Sequence, residues 1–297
     1  MTELELLETR HPDQAARLRF DELIGIDSHK QQLLEELHLI LEPHLVAAWA
    51  KRHHPKGLPL ATRLAHRSPL VLLEGDVGCG KTALAGSVGS PLADLLGGER
   101  VTTLETPSNI RGTGLVGELS ARITGAFTQA KTRVGTGYGL LVIDEGDDLG
   151  TQRAQMHAHH EDRAGLNVLI KQIDLLQRAR MKLAVILITN RADVLDAALV
   201  RRASLRLRFE RPDAAARRQA FEHLLQGLAP TKRELDELVR ASERQDVPFS
   251  YSDLVVRVPG AALRQALREK VPLSVELVVD ALRATEPSPL LATAPSA

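Results

Sequence analysis

The 297-residue sequence is short of several things, and each shortage excludes a class of protein. It holds a single cysteine, Cys79, so no intrachain disulfide can form. That fits a reducing compartment rather than a secreted, disulfide-stapled scaffold. Neither charge is in excess, with Lys+Arg and Asp+Glu at 38 each. Such a balance supplies no bulk attraction to nucleic acid or to an acidic membrane, although it is compatible with a local basic patch. No apolar run reaches the roughly 18 residues that a membrane-spanning helix needs. The opening MTELELLETR is acidic and lacks the apolar stretch of a signal peptide. A cytoplasmic location with no membrane partner is expected. What the chain does have is 43% AVILMFWYC, enough for a proper core. Its length suits one large domain plus a small one.

Residues 1–19 are polar and read as helical at most, a short N-terminal extension. From residue 20 to about 50, Leu33, Leu34, Leu37 and Leu41 recur at spacings of three and four, which predicts a helix with Ser28 as candidate cap. Residues 53–60 read as a loop. Then short apolar runs alternate with helical stretches. Strands are predicted at 70–73, 101–104, 140–143, 183–188 and 205–209, and helices at 81–96, 117–130 and 163–176. Strands that are apolar throughout and alternate with helices predict an α/β domain: a parallel sheet of about five strands flanked by helices. After Arg211-Pro212 only helical patterns remain, at 213–225, 232–242, 252–268 (interrupted at Pro259-Gly260) and 274–284. Asp213 and Ser274 are candidate N-caps. The expected division is a large α/β domain over 20–210, a small all-helical domain over 211–285 and a disordered tail over 286–297.

The strongest local signal is Gly75-Asp76-Val77-Gly78-Cys79-Gly80-Lys81-Thr82. It satisfies GxxxxGK[ST] and lies between a predicted strand and a predicted helix, as that motif requires. Glycines let the backbone curl so that its amides converge on phosphate oxygens. The helix that follows adds free amides and a positive dipole end. Lys81 is expected to reach the β and γ phosphates and Thr82 to bind Mg²⁺, with Ala83 completing the ATP-binding set. A second signal is the apolar run 140–143 ending in Asp144 and Glu145. Two carboxylates at the end of a buried strand are costly unless they have a task. Asp144 is expected in the magnesium shell, and Glu145 to orient and polarise the attacking water. A third apolar strand ends in Thr189-Asn190. Strand ends line the ligand crevice of open α/β sheets, so Asn190 is a candidate contact to the water or the γ-phosphate. Taken alone it also reads as a turn asparagine.

With Leu195-Asp196-Ala197-Ala198-Leu199-Val200-Arg201-Arg202 added, these motifs resemble an AAA+ ATPase from about Phe20 to Thr285. The resemblance implies a P-loop NTPase domain followed by a helical lid. It implies hydrolysis at the subunit interfaces of a homohexamer, with Arg202 or Arg201 as the arginine finger. Phe20-Asp21 and Ile24-Gly25-Ile26 resemble the family's segment beside adenine. Leu115, Val116 and Gly117 resemble its pore loop, with Leu115 in place of the aromatic and Arg111–Gly114 as a flexible addition. The cluster Met156–Asp162 lacks zinc spacing and reads as a second pore-facing loop. In the lid, Asp253 stands where a sensor arginine is expected; either Arg257 stands in or the lid lacks that sensor.

Residues 108–118, 159–170 and 196–205 are similar to a narrower group, the bacterial relatives of the pachytene-checkpoint ATPase. That group accompanies HORMA-domain proteins and a cGAS-like nucleotidyltransferase in CBASS anti-phage systems. The implied task is to pull on a flexible terminus of a HORMA protein, convert its closed form to the open one and release its partners, which switches off the nucleotidyltransferase. Eukaryotic relatives carry an N-terminal adaptor domain that 19 residues do not supply, so substrate is expected to meet the ring directly. Nucleic acid is not an expected partner. Two rival readings remain at this level: a DNA-directed AAA+ ATPase of the loader or transposition-regulator type, and a nucleotide-gated assembly module.

Overall fold

The computed structural model describes residues 4–107, 117–144, 158–191, 195–244 and 246–290, the side chains of 158–163 excepted. The chain forms two compact units. The first comprises the described parts of Met1–Phe20, Ser28–Glu74 and Thr82–Arg208. The second comprises those of Asp21–Asp27, Gly75–Lys81 and Phe209–Ala297.

Six strands make one sheet: β1 Leu7–His11, β2 Leu70–Gly75, β3 Val101–Glu105, β4 Tyr138–Ile143, β5 Leu183–Thr189 and β6 Leu205–Phe209. Their order is β1-β3-β4-β5-β2-β6. The pairs β3–β4, β4–β5 and β5–β2 are parallel. All residues of β5 and the first five of β2 are buried, which is why 70–73 and 183–188 read as unbroken apolar runs rather than as alternation. The helices are α1 Gln14–Asp21, α2 Asp27–Leu41, α3 His44–His53, α4 Pro59–Leu64, α5 Lys81–Ser87, α6 Gly89–Leu95, α7 Glu118–Val134, α8 Ala158–Ala179 and α9 Ala197–Val200. Phe127, Ile123 and Ala130 of α7 and Leu169, Ile173 and Leu176 of α8 pack with Leu141, Ile143, Val185 and Leu187 of the sheet into one core. Ser28 lies inside the first turn of α2, where its hydroxyl accepts from Gln32 at 2.8 Å, and so is not the cap expected.

The N-terminal extension differs from its expectation. Residues 7–11 form a strand, antiparallel to β3, from Leu7 opposite Glu105 to His11 opposite Val101. Its Glu8 and Arg10 are exposed and pair with each other at 2.7 Å. His11 is buried, hydrogen-bonded to Ser90 Oγ at 2.8 Å and Thr103 Oγ1 at 3.0 Å. Leu4 and Leu6 join the main core. The strand covers backbone groups that β3 would otherwise present at a sheet edge.

The second unit holds α10 Ala214–Leu224, α11 Lys232–Ala241, α12 Val258–Glu269 and α13 Val275–Ala284 around Phe221, Leu238, Phe249, Leu254, Val278 and Leu282. Asp213 caps α10 by accepting from Ala216 N–H at 2.8 Å. Ser274 caps α13 by accepting from Leu277 N–H at 3.3 Å. Thr231 and Glu234 form a capping box on α11. Pro259 does not interrupt its helix. Residues 251–269 are helical throughout, and a widened π turn over Asp253–Arg257, closed by Val258 N–H bonding back to the Asp253 carbonyl, accommodates the proline that follows it. The disorder expected from residue 286 does not hold for 286–290, and residues 291–297 lie outside the described residues. Over 286–290 the chain is held: Ser288 donates to Asp253 through its N–H at 3.0 Å and its hydroxyl at 2.6 Å. No helix among the described residues is long and apolar enough to cross a membrane.

Candidate nucleotide site

The second unit carries the glycine-rich loop. Gly75 ends β2 at φ +131°, and a Cβ there would lie 1.9 Å from the Phe209 carbonyl oxygen, so only glycine fits. Asp76 N–H donates to that same carbonyl at 3.2 Å. Lys81 is buried, and its Nζ donates to the carbonyls of Gly75 at 2.9 Å and Asp76 at 2.7 Å. A buried ammonium needs such partners. They hold the cation across the loop whose amides define the anion site.

Arg211 braces this loop. Its Nε donates to the Asp76 carboxylate, and its terminal nitrogens donate to the carbonyls of Pro248, Ser288 and Pro289. On the other side, Ser252 N–H donates to the Gly78 carbonyl at 2.9 Å. The Tyr251 hydroxyl donates to the Gly25 carbonyl at 3.2 Å. Gly25 stands at φ +76°, and a Cβ there would sit 2.3 Å from the Tyr251 oxygen. The segment containing Ile24 and Gly25 is thus fastened to the turn at 250–252, within the unit that holds the loop. Burial, then the charges of Asp213, Cys79 and Asp27, push the Tyr251 hydroxyl up to about 12. Burial, then Asp76, pushes the Cys79 thiol up to about 11, so this loop cysteine stays a neutral thiol at physiological pH.

The first unit carries the oxygen ligands. Thr82 lies in the first turn of α5, and its hydroxyl donates to Asp144 Oδ2 at 2.7 Å. A hydroxyl and a carboxylate converging in this way match the hard-oxygen donor set that Mg²⁺ takes. Asp144 follows β4 and Asn190 follows β5. Because these strands run parallel with β2, Asp144 and Asn190 emerge at the same edge of the sheet as Glu74. Asn190 is half-buried. Glu105, the last residue of β3, adds a carboxylate that sequence reasoning missed. Burial, then the charge of Asp144, raises its pKa above the ordinary glutamate value. Its position at a strand end was the available signal, the same one that picked out Asp144 and Asn190.

Of the two finger candidates, Arg201 is exposed and bonds through Nε to the Ala197 carbonyl at 3.1 Å. Arg202 is half-exposed and clamped by Asp174, with Nε to Oδ1 at 3.1 Å and Nη2 to Oδ2 at 3.4 Å. Its Nη1 also donates to the Ala198 carbonyl at 3.0 Å. Asp196 caps the short α9 that presents both arginines, accepting from Ala198 N–H at 2.6 Å. Gly117 is the residue before α7, at φ +82°. Glu145, Leu115, Val116, Arg111–Gly114 and His157 lie outside the described residues, as do the side chains of His159 and His160.

Residues 71–211 match the family model described as "ATPase family associated with various cellular activities (AAA)". CD-NTase-associated protein 6 of Escherichia coli strain KTE188 is 34% identical over 272 residues, 91% of each chain. The chain belongs to the AAA ATPase family. It binds nucleotide, and it is an ATPase. Two solved structures match nearly the whole of this AAA ATPase. One is a chain of the E. coli MS115-1 HORMA:CdnC:Trip13 complex, 33% identical, with 98% of both chains covered and a TM-score of 0.88. The other is Rhizobiales Trip13, 31% identical over 95% of this chain and 98% of that one, with a TM-score of 0.73.

The structure adds Arg211 to the residues that sequence reasoning supplied for this AAA ATPase. Its partners lie 135 residues upstream and 37 to 78 residues downstream, so no local pattern could reveal it. In the lid, Asp253 and Arg257 are bonded to each other. Asp253 is buried and accepts from Ser250, Ser288 and Arg257, the last at 2.5 Å. These residues form a structural knot within the second unit.

Proposed function

We propose that this AAA ATPase hydrolyses ATP at the interfaces of a homohexamer to remodel a HORMA-domain client, disassembling a CBASS signalling complex and silencing its nucleotidyltransferase. The observation that carries the reading is the extent of the match to the Trip13 chain of the HORMA:CdnC:Trip13 complex. At 98% of both chains it includes the N-terminal strand and the lid, and is not confined to the P-loop core. The similarity to CD-NTase-associated protein 6 points the same way.

The residues take the following roles in this proposal. The loop amides of 75–80 and the Lys81 ammonium bind the phosphates, with Ala83 behind them on α5. Thr82 and Asp144 hold Mg²⁺, which when bound neutralises charge on the β and γ phosphates. Glu145 orients the attacking water and takes its proton, and Asn190 senses the γ-phosphate. Ile24 and Gly25 flank the base. Arg202 serves as the finger for a neighbouring protomer: the two-bond clamp on Asp174 fixes the guanidinium plane while leaving it partly open, whereas Arg201 is held by one backbone bond. Leu115, Val116 and Gly117 grip the client. The proposed division places the ATPase domain at 20–210 and the lid at 211–285.

The test is steady-state ATPase with a closed HORMA-domain protein, and with duplex DNA in parallel. The proposal expects stimulation by the HORMA protein, abolished when Leu115→Ala and Val116→Ala are combined. Stimulation by DNA alone would overturn it.

A further inference from the structure

Net neutrality hides one uneven stretch. Between Glu42 and Glu74 the chain has no aspartate or glutamate, yet it contains Lys51, Arg52, Lys56, Arg63 and Arg67 and four histidines. With 38 charges of each sign overall, the rest of the chain carries a matching deficit of five. The stretch folds into the hairpin α3–α4, whose two helices pack together. Arg67 is taken by Glu36 at 2.7 Å. Lys51, Arg52, Lys56 and Arg63 are exposed and meet no carboxylate among the described residues. Like charges gathered this way repel one another and add nothing to the stability of the hairpin.

His44 and Ala47 of α3, with Ala65, His66 and Arg67 just after α4, line one side of a cavity of about 570 Å³. Opposite them stands the C-terminal end of α8. That volume lies in the range of sites that hold a ligand. The floor is aliphatic, from Ile40, Ala47, Leu176 and Met181. Glu42, the one acid on the wall, is already satisfied by Tyr138, by Lys182 at 3.0 Å and by His44 at 2.5 Å. Arg180 is different. It stands just past α8 at φ +50°, a left-handed position where glycine is the unstrained residue. Among the described residues its only side-chain bond is to His66 Nε2 at 3.0 Å, while His66 Nδ1 donates to the Thr62 carbonyl at 2.8 Å. Among the described residues Arg180 therefore lines the cavity with no carboxylate bonded to it.

We infer that this cavity and its cationic hairpin form a docking site for an acidic polypeptide segment that inserts an aliphatic side chain. The aliphatic floor takes the anchor, Arg180 takes a flanking carboxylate, and the cations of α3–α4 meet further acidic residues. Single-stranded nucleic acid fits less well, because the cavity offers no aromatic platform among its lining residues apart from imidazoles. The lining shares no residue with the nucleotide-binding set, and the site does not depend on the identity of the client.

The experiment uses the full chain and a fluorescein-labelled peptide alternating glutamate with leucine, read by anisotropy. Trp49, the sole tryptophan, lies on α3 and gives a second, local signal. Arg180→Gly relieves backbone strain rather than adding it, so its fold is secure. It is expected to weaken binding about tenfold. Lys51→Glu with Arg52→Glu, and the cavity-filling Ala47→Phe, are expected to weaken it by at least as much. Basal ATPase turnover should stay unchanged in all three. Unaltered affinity in Arg180→Gly would overturn the inference. So would equal binding of polyglutamate, which has no anchor, or tighter binding of a single-stranded oligothymidylate.

Discussion

Replacing Asp253 by asparagine should loosen the helical unit by an amount the structure lets one estimate. The carboxylate is fully buried. Oδ2 accepts from Ser250 N–H at 3.0 Å, Ser250 Oγ at 2.9 Å and Ser288 N–H at 3.0 Å. Oδ1 accepts from Ser288 Oγ at 2.6 Å and Arg257 Nη1 at 2.5 Å. Asparagine keeps one acceptor oxygen and turns two N–H groups toward donors. With its oxygen placed toward Ser250, the amide faces the Arg257 guanidinium and that charge-assisted bond is lost. The Ser288 hydroxyl can rotate to accept, and Arg257, with its side chain 47% exposed, recovers water. The net loss is about 2–4 kcal/mol, below the full cost of breaking a buried pair. Urea unfolding followed by far-UV circular dichroism measures it. The pH dependence provides an independent check. Burial alone would raise the Asp253 pKa, but the hydrogen bonds from Ser288, Ser250 and Arg257 outweigh it and hold the carboxyl well below the usual range. A depressed folded pKa contributes stability above the unfolded value of about 3.9, and that contribution is lost as pH falls below it. The asparagine variant has none of it to lose, so the gap between the two proteins should narrow from pH 6 to pH 3. A loss under about 1 kcal/mol at pH 7, or a gap that does not change with acidification, would refute the reasoning.

Lys81→Ala should lose ATP binding and Glu145→Gln should keep it while slowing turnover by about a hundredfold or more, read by calorimetry and steady-state ATPase. Normal turnover in Glu145→Gln would remove that residue from its role. Arg202→Ala should bind ATP but hydrolyse it about a thousandfold more slowly, whereas Arg201→Ala should fall much less; the reverse ranking would reassign the finger. Arg257→Ala should lower the unfolding midpoint while leaving nucleotide affinity near wild type, since its guanidinium is bonded to Asp253 and Ser288. A large loss of ATP affinity would give it a sensor role instead.

The features that could be read from sequence are those set by local pattern. The runs at 70–73, 140–143 and 183–188 are apolar because both faces of their strands are covered, so each announced a buried strand and the polar residue at its end. The caps Asp213 and Ser274 were legible because a cap bonds within its own first turn. What escaped depends on distant partners. Residues 7–11 look polar and become a strand only because β3 has an edge to pair and His11 finds Ser90 and Thr103. Ser288 sits in a Pro/Ala/Ser-rich tail, and its fixed place comes from distant partners, the buried Asp253 carboxylate 35 residues away and Arg211 77 residues away. Arg211 follows the last strand and looks like a surface charge until Asp76 appears beside it.

The most direct test of the proposed task is release itself. A closed HORMA protein bound to its nucleotidyltransferase would be mixed with this ATPase, and the partners separated by size-exclusion chromatography. ATP should free the nucleotidyltransferase, and the Glu145→Gln variant should leave the complex intact. A complex that survives ATP with the wild-type protein, under conditions where hydrolysis is measurable, would contradict the account.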